Sequence, residues 1–142
     1  MLAPDVDVLV YAHRAELPEH AACRRWLEGV VNADSAFGLA DVVLSGFLRM
    51  VTHPRIFSSP TPLADALAEA SALRGQPNRV PLEPGPRHWG IFERLCSESR
   101  ARGSLVADAY LAALAIESGC EWVTTDRDFT RFSGLRVRSP LG

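Results

Sequence analysis

Five aspartates near the two ends of the chain have the residue type and spacing for metal chemistry. Asp5 and Asp7 stand where a first β-strand is predicted to end, and Asp126 and Asp128 stand where a fourth strand ends. Asp108 is predicted to open the apolar helix before that fourth strand. Unpaired carboxylates that lie close together raise one another's pKa, and a divalent cation removes that cost. Mg²⁺ prefers such oxygen ligands and can activate water for attack on a phosphodiester.

Short apolar runs alternate with amphipathic stretches, a pattern typical of α/β proteins. Strands are predicted at Leu2–Tyr11 (turning near Asp5–Asp7), Ala36–Leu39, Arg79–Leu82, Glu121–Thr124 and Leu135–Arg138. Helices are predicted at Pro18–Asn32, Asp41–Thr52, Pro62–Arg74, Pro86–Ser99 and Ala107–Ser118, with a helical turn at Arg127–Phe132. We therefore expect a three-layer α/β/α sandwich around a short, mostly parallel sheet of about five strands, with residues 1–142 forming a single domain.

The topology decides whether these aspartates meet. In a parallel sheet, ligands bind outside the carboxyl ends of the strands, where the strand order reverses. If strands one and four are neighbours, Asp5 and Asp126 face each other there, and the helix from Ala107 brings Asp108 beside them. A plain structural role is the alternative, because Asp7, Asp41, Asp108 and Asp126 all stand where a helix could begin. An aspartate N-cap stabilises a helix by about 1 kcal/mol and needs no further purpose.

The composition excludes several other classes of protein. The chain is 47% hydrophobic and 23% charged, with a net charge of −2, so it has no global attraction to nucleic acid. All 15 basic residues are arginine, which excludes chemistry that requires lysine. Three widely spaced cysteines match no disulfide framework and no zinc pattern. No apolar run could span a membrane and the N-terminus lacks the basic region of a signal peptide, so a cytoplasmic location is expected.

Seven segments, taken in this order, carry a resemblance to a known family. They are Pro4-Asp5-Val6-Asp7-Val8-Leu9, His20-Ala21-Ala22-Cys23-Arg24-Arg25-Trp26-Leu27, Gly46-Phe47-Leu48-Arg49-Met50-Val51-Thr52-His53-Pro54-Arg55, Pro84-Gly85-Pro86-Arg87-His88-Trp89, Asp108-Ala109-Tyr110-Leu111-Ala112-Ala113-Leu114-Ala115, Thr124-Thr125-Asp126-Arg127-Asp128-Phe129 and Pro140-Leu141. Together they resemble the VapC-type toxins, PIN-domain endoribonucleases of bacterial toxin–antitoxin pairs. The resemblance covers nearly the whole chain.

The resemblance implies a Mg²⁺-dependent endoribonuclease that hydrolyses RNA phosphodiesters with metal-activated water. Asp5, Asp108 and Asp126 would be its catalytic residues and metal ligands, with Asp128 close by. Mn²⁺ satisfies the same ligands. The implied partners are a VapB-type antitoxin, whose C-terminal segment blocks the site, an RNA substrate such as tRNA or ribosomal RNA, and a second copy in a homodimer. No membrane is involved.

Two positions have supporting roles by the same resemblance. Asp7 stands where the family often has asparagine, and it could hold the first ligand or a metal-bound water. Thr125 could support the site by hydrogen bonding, or it simply ends the strand.

The chain departs from the family pattern at Gly46, where an acidic residue is usual. Asp41 lies five residues earlier, about 7.5 Å along a helix axis, and either substitutes for the missing acid or only caps the helix. The number of metal ions is therefore left open. Arg49, Arg55 and Arg127 are candidate RNA-phosphate contacts, and each is also compatible with an ordinary solvated arginine.

Two other functions compete with the nuclease. Asp5-Val6-Asp7 fits the first motif of a haloacid-dehalogenase-type phosphatase, but the lysine that such enzymes use is missing. The second alternative is a PIN-like module that binds RNA or a partner with little or no catalysis, and Gly46 favours it.

Overall fold

The computed structural model describes all 142 residues and contains one five-stranded sheet. The strands are β1 (Leu2–Pro4), β2 (Phe37–Leu39), β3 (Arg79–Pro81), β4 (Glu121–Val123) and β5 (Arg136–Arg138). They lie in the order β3-β2-β1-β4-β5, and every neighbouring pair is parallel. The predicted sheet is thus confirmed, and β1 and β4 are neighbours at its centre.

Six α-helices and one 3₁₀ helix connect the strands. They are α1 (Val6–His13), α2 (His20–Val31), α3 (Asp41–Val51), α4 (Leu63–Arg74), α5 (His88–Ser99), α6 (Ser104–Ser118) and the 3₁₀ helix (Arg127–Arg131). No helix combines the length and apolar character needed to cross a bilayer.

The direction of the connections accounts for the layers. The connections β1→β2 and β2→β3 move one way across the sheet and carry α1 to α4, whereas β3→β4 returns and carries α5 and α6. Because such crossovers are right-handed, the two sets of helices lie on opposite faces. The packing agrees, since α1 contacts α2 and α3, α3 contacts α4, and α5 contacts α6. The three-layer α/β/α sandwich is confirmed.

The core lies between the sheet and its helices. Its largest fully buried side chains include Trp122 of β4, Phe37 of β2 and Phe47 of α3. Trp122 also packs against Phe129 of the 3₁₀ helix, with ring centroids 5.7 Å apart. That contact holds the segment after β4 against the sheet, which places the Asp126 region.

Most element boundaries lie within two residues of the prediction, and two differ by more. The chain leaves the first strand at Pro4 and forms α1 from Val6 onward, where an extended strand with a turn was expected. Residues 8–10 are all apolar and all buried, so the run has no polar positions to reveal a helical period. Helix α6 begins at Ser104, not at Ala107, so Asp108 lies in its second turn and does not open it.

Candidate active site

Asp5 lies at the junction of β1 and α1, at the centre of the sheet. Its backbone N–H donates to the Val123 carbonyl at 2.9 Å, which continues the β1–β4 ladder by one residue. Its Oδ1 accepts from the Val6 N–H at 2.7 Å and caps α1. Its Oδ2 accepts from the Thr124 hydroxyl at 2.8 Å. The residue is only 6% exposed, so its carboxylate is held rigidly in a largely dry position.

Thr124 joins the two halves of this edge of the sheet. Its hydroxyl donates to Asp5 and accepts the Asp126 N–H at 3.0 Å. The same oxygen lies 3.4 Å from each carboxylate oxygen of Asp7. A hydroxyl has one proton, and the shorter distance assigns it to Asp5. Thr125 was predicted as a supporting residue from the sequence, but Thr124 was not. The role of Thr124 follows from the register of β1 on β4, in which Pro4 pairs with Val123 and Asp5 therefore lies beside Thr124.

Asp7 lies in the first turn of α1, and its carboxylate is held by Thr125, in the segment that follows β4. Its Oδ2 accepts from the Thr125 N–H at 2.9 Å and from the Thr125 hydroxyl. The supporting role suggested for Thr125 is therefore visible as two hydrogen bonds to one carboxylate oxygen. Of the two aspartates near the start of α1, it is Asp5, not Asp7, that caps the helix.

Asp108 and Asp126 reach the same edge from other elements. Asp126 caps the 3₁₀ helix, where its Oδ1 accepts from the Asp128 N–H at 2.9 Å. Asp108 caps nothing, because it lies inside α6, and its carboxylate has no hydrogen-bond partner among the described contacts. Capping thus occupies one oxygen each of Asp5 and Asp126. A carboxylate offers about four lone-pair directions, so capping and ligation are compatible.

The carboxylates oppose one another's ionisation. Burial, the Asp7 charge and, more weakly, the Asp108 charge raise the pKa of Asp5 to about 7. Burial together with Asp126, Asp128 and Asp7 raises the pKa of Asp108 to about 6. Burial also raises the pKa of Asp7. These effects place all five aspartates within electrostatic reach of one another at one edge of the sheet. We call this edge, which carries Asp5, Asp7, Asp108, Asp126 and Asp128, the acidic edge.

No basic side chain compensates the central carboxylates. Every ion pair in the structure lies outside Asp5, Asp7, Asp108 and Asp126, and Asp128 alone has a distant one, with Arg131 at 3.8 Å. The donor set is all carboxylate and hydroxyl oxygen, which suits a hard divalent cation. No three acidic, histidine or cysteine side chains have metal-ligating geometry in this structure. The residues fit a cation in chemistry and charge, and ligation by Asp5, Asp108 and Asp126 stays a prediction.

Asp41 lies outside this cluster. Its carboxylate pairs with the Arg74 guanidinium at 2.8 Å and with Arg79 at 3.0 Å. The hydrogen bond from Arg74 lowers the pKa of Asp41. The structure brings Asp41 to two arginines of the neighbouring α4 and β3, not to the other aspartates.

Gly46 marks a close crossing of α1 and α3. A Cβ built on Gly46 would lie 2.8 Å from Cγ2 of Val6, closer than real Cβ atoms come. An acidic side chain at this position would therefore need the Val6 side chain or α1 to shift. The departure from the family pattern has a steric counterpart in Val6, the residue directly after Asp5.

The three candidate RNA-binding arginines have different surroundings. Arg127 lines a pocket with Thr124, Thr125 and Asp126, at the acidic edge. Arg49 lines an apolar groove with Gly46 on α3. Arg55 follows α3 in an exposed loop and its side chain has no described partner. Only Arg127 is placed directly beside the aspartates, and a role in RNA binding is untested for all three.

Comparison with known proteins identifies the class. The PIN domain family model matches residues 3–135. The chain is 50% identical over 141 residues to VapC ribonuclease Mb2897 of Mycobacterium bovis, covering 99% of this chain and 96% of that protein. It is 43% identical over 142 residues to ribonuclease VapC25 of Mycobacterium tuberculosis, covering 99% and 100%. The chain therefore belongs to the PIN-domain family, within its VapC ribonuclease group.

Solved structures support the fold. VapBC2 from Rickettsia felis, bound to a DNA fragment from its promoter, matches with a TM-score of 0.70 and 15% identity, covering 97% of both chains. FitAcB from Neisseria gonorrhoeae matches with a TM-score of 0.68 and 18% identity, covering 99% of this chain and 98% of that one. At such identities the likeness concerns the fold alone.

Proposed function

We propose that the chain is a Mg²⁺-dependent endoribonuclease and the toxin of a VapBC-type toxin–antitoxin pair, acting as a single domain in the cytoplasm. The observation that carries the proposal is the gathering of carboxylates without a basic partner at the carboxyl ends of β1 and β4. Asp5, Asp108 and Asp126 come from three separate segments of the chain, and the pKa values of Asp5 and Asp108 are raised to about 7 and about 6. The relatives named ribonuclease support RNA as the substrate.

In this proposal Asp5, Asp108 and Asp126 hold the cation, with Mn²⁺ as an alternative to Mg²⁺. A bound divalent cation neutralises charge on the phosphodiester and activates the attacking water. Thr124 fixes the carboxylate of Asp5, and Thr125 fixes that of Asp7, so both acids enter the reaction already oriented. Asp108 has no hydrogen bond to break and is free to turn toward the cation. Without a cation, the raised pKa of Asp5, about 7, means that roughly half of the molecules hold a proton on this carboxyl group at neutral pH.

Cleavage of purified cellular RNA tests this proposal. Wild type is expected to cut RNA with Mg²⁺ and to stop when EDTA is added. Asp5→Asn and Asp108→Ala are expected to be inactive and still folded. Asp34→Asn is the matched control, because Asp34 is exposed and has no described partner. A folded Asp108→Ala protein that cuts RNA or stays toxic in cells would refute the assignment.

The proposed partners are a VapB-type antitoxin and a second copy of the chain, with tRNA or ribosomal RNA as substrate. The VapBC2 and FitAcB structural neighbours support an antitoxin partner. An apolar groove of about 610 Å³ between α3 and α6 also lies beside Asp108, and its lining includes Val42, Gly46, Val106 and Tyr110. Such a groove suits the apolar side chains of an extended peptide. Growth inhibition that is relieved by co-expressing a cognate VapB-type antitoxin is the expected behaviour.

A non-catalytic PIN-like binding module is the second candidate, and Gly46 is the observation that favours it. Glycine at position 46 leaves the site one acidic residue short of the usual family pattern. A Cβ built there would overlap the Val6 side chain. RNA cleavage that requires Mg²⁺ and Asp5 would exclude this candidate. The phosphatase alternative predicts turnover of small phosphomonoesters, which we do not expect.

A further inference from the structure

A pocket of about 480 Å³ adjoins the acidic edge and is lined mainly by arginine. Its lining residues are Arg100, Arg102, Leu105, Asp128 and Arg131. Asp128 connects it to the proposed active site, because the Asp128 N–H donates to Oδ1 of Asp126 at 2.9 Å. Leu105 lies three residues before Asp108 in α6, which puts both side chains on one face of the helix. The pocket therefore adjoins the aspartates at Asp128.

The charge in this pocket is not neutralised. Three guanidinium groups face one carboxylate, and the only ion pair among them, Arg131 with Asp128, is 3.8 Å long. Elsewhere, each arginine that has an acidic partner has it within 2.6 to 3.2 Å. Arg100 and Arg102 have no ion pair at all. The pocket therefore has an excess of about two positive charges, which suits an anionic group. Because the pocket adjoins the acidic edge, one extended anionic ligand can reach both the arginines and the proposed cation site.

The backbone of Arg100 adds a second observation. Arg100 has a φ of +52° and is the only non-glycine residue with positive φ, whereas the same left-handed position at the end of α6 is filled by Gly119. It ends α5, at a position where glycine is usual because a side chain there costs conformational energy. An arginine at such a position points to a use for its side chain beyond ending the helix.

We propose that Arg100, Arg102 and Arg131 bind the phosphate of a nucleotide next to the one that is cleaved, and so hold the RNA strand across the aspartates. This inference rests on the proposed nuclease function, since a phosphodiester at the acidic edge has neighbouring phosphates on either side. Arginine suits this role because its planar guanidinium forms two parallel hydrogen bonds to phosphate. The arginines are positioning residues, because they lie away from the reacting atoms.

The salt dependence of RNA binding tests the pocket. A short single-stranded RNA is titrated onto Asp5→Asn protein, which should bind without cutting. Adding Arg100→Gln, Arg102→Gln and Arg131→Gln is expected to weaken binding and to reduce the slope of log K against log salt by about 0.7, the value for one lost phosphate contact on a single strand. Arg25→Gln, Arg87→Gln and Arg136→Gln together form a charge-matched control, and they should leave the slope nearly unchanged.

The outcomes separate the two proposals. If wild type cuts RNA but the pocket variant keeps the parent slope, or if both triple variants lose slope equally, the pocket is not a phosphate site. If wild type does not cut RNA under any metal condition, the proposed function itself fails. Melting temperatures of all variants are compared first, and the binding slope is a readout that a purely structural role for these exposed arginines would not change.

Discussion

Thr124 is the residue on which the arrangement of the acidic edge most depends. One buried hydroxyl donates to Asp5 and accepts from the backbone of Asp126, and so links the ends of β1 and β4. A threonine at the end of a strand has no feature that distinguishes it in a sequence, and only the register of β1 on β4 reveals its role. The aspartates themselves were visible from residue type, because several carboxylates near predicted strand ends can share one divalent cation.

Thr124→Val is expected to reduce RNA cleavage roughly ten- to hundredfold, as is typical for residues that orient metal ligands. Valine keeps the shape but leaves Oδ2 of Asp5 and the N–H of Asp126 without a partner, which should also lower the free energy of unfolding by about 1–3 kcal/mol. Thr124→Ser keeps the hydroxyl and should retain most of the activity. Cleavage rates and denaturant melts measure both effects. Equal activity in the valine and serine variants would contradict the role given to the hydroxyl.

At the scale of elements, the sequence predicted most of the helices and strands to within a few residues. Helix α1 was missed because its middle is uniformly apolar and packs against α2, α3 and the sheet. Its hydrophobic residues therefore show no helical periodicity in the sequence. The start of α6 was placed three residues late, because Ser104 follows Gly103, whose positive φ gives no signal in a hydrophobic pattern. The ion pairs of Asp41 could not be foreseen, since they depend on how α4 and β3 pack beside α3.

The contact of α1 with α3 at Gly46 gives an element-scale prediction. Gly46→Ala should destabilise the protein by about 1–3 kcal/mol despite the higher helix propensity of alanine, because its Cβ would overlap the stiff Val6 side chain. Val6→Ala removes the overlapping methyl groups. The double variant should therefore lose less stability than the sum of the two single variants, measured by chemical denaturation.

Gly90→Ala is the control for Gly46→Ala. Gly90 is also a helical glycine, in α5, and a Cβ there would meet nothing within 4 Å. Its substitution should stabilise the protein slightly through helix propensity. Additive effects of Val6→Ala and Gly46→Ala would show that the two helices are not limited by this contact.

At the scale of the whole molecule, the strand order brings the two ends of the chain into one site. The sequence indicated the parallel sheet but left open whether β1 and β4 were neighbours, and that adjacency is set by the long connection through α5 and α6. The result is a crevice at the carboxyl ends of the central strands, the usual ligand position of such sheets. The negative charges of the aspartates gathered there should lower the free energy of unfolding.

The metal-free protein is expected to lose stability as the pH rises from about 5 to 8. The pKa of Asp5 is raised to about 7 and that of Asp108 to about 6, so the folded state holds more protons than the unfolded state in this range. Folding stability is then present at the lower pH and is lost as these groups ionise. Melting temperatures in EDTA across this range measure the effect.

Asp5→Asn should flatten this pH profile and raise the melting temperature near pH 8, because a neutral amide replaces the charge that burial disfavours. Mg²⁺ should raise the melting temperature of wild type at pH 8 and have less effect on Asp5→Asn, by mass action on the folded state. A wild-type profile that is flat in EDTA would contradict the electrostatic picture of the acidic edge.

The bond between Thr124 and Asp5 spans 119 positions of the chain. A ribosome must therefore have translated past Thr124 before the acidic edge can form. Prematurely terminated products that stop before β4 contain Asp5 but lack Val123 and Thr124, which hold it. If the proposed toxicity is correct, translation of a message broken before β4 would release only harmless fragments, and the danger to the cell would begin once β4 and Thr124 have been translated.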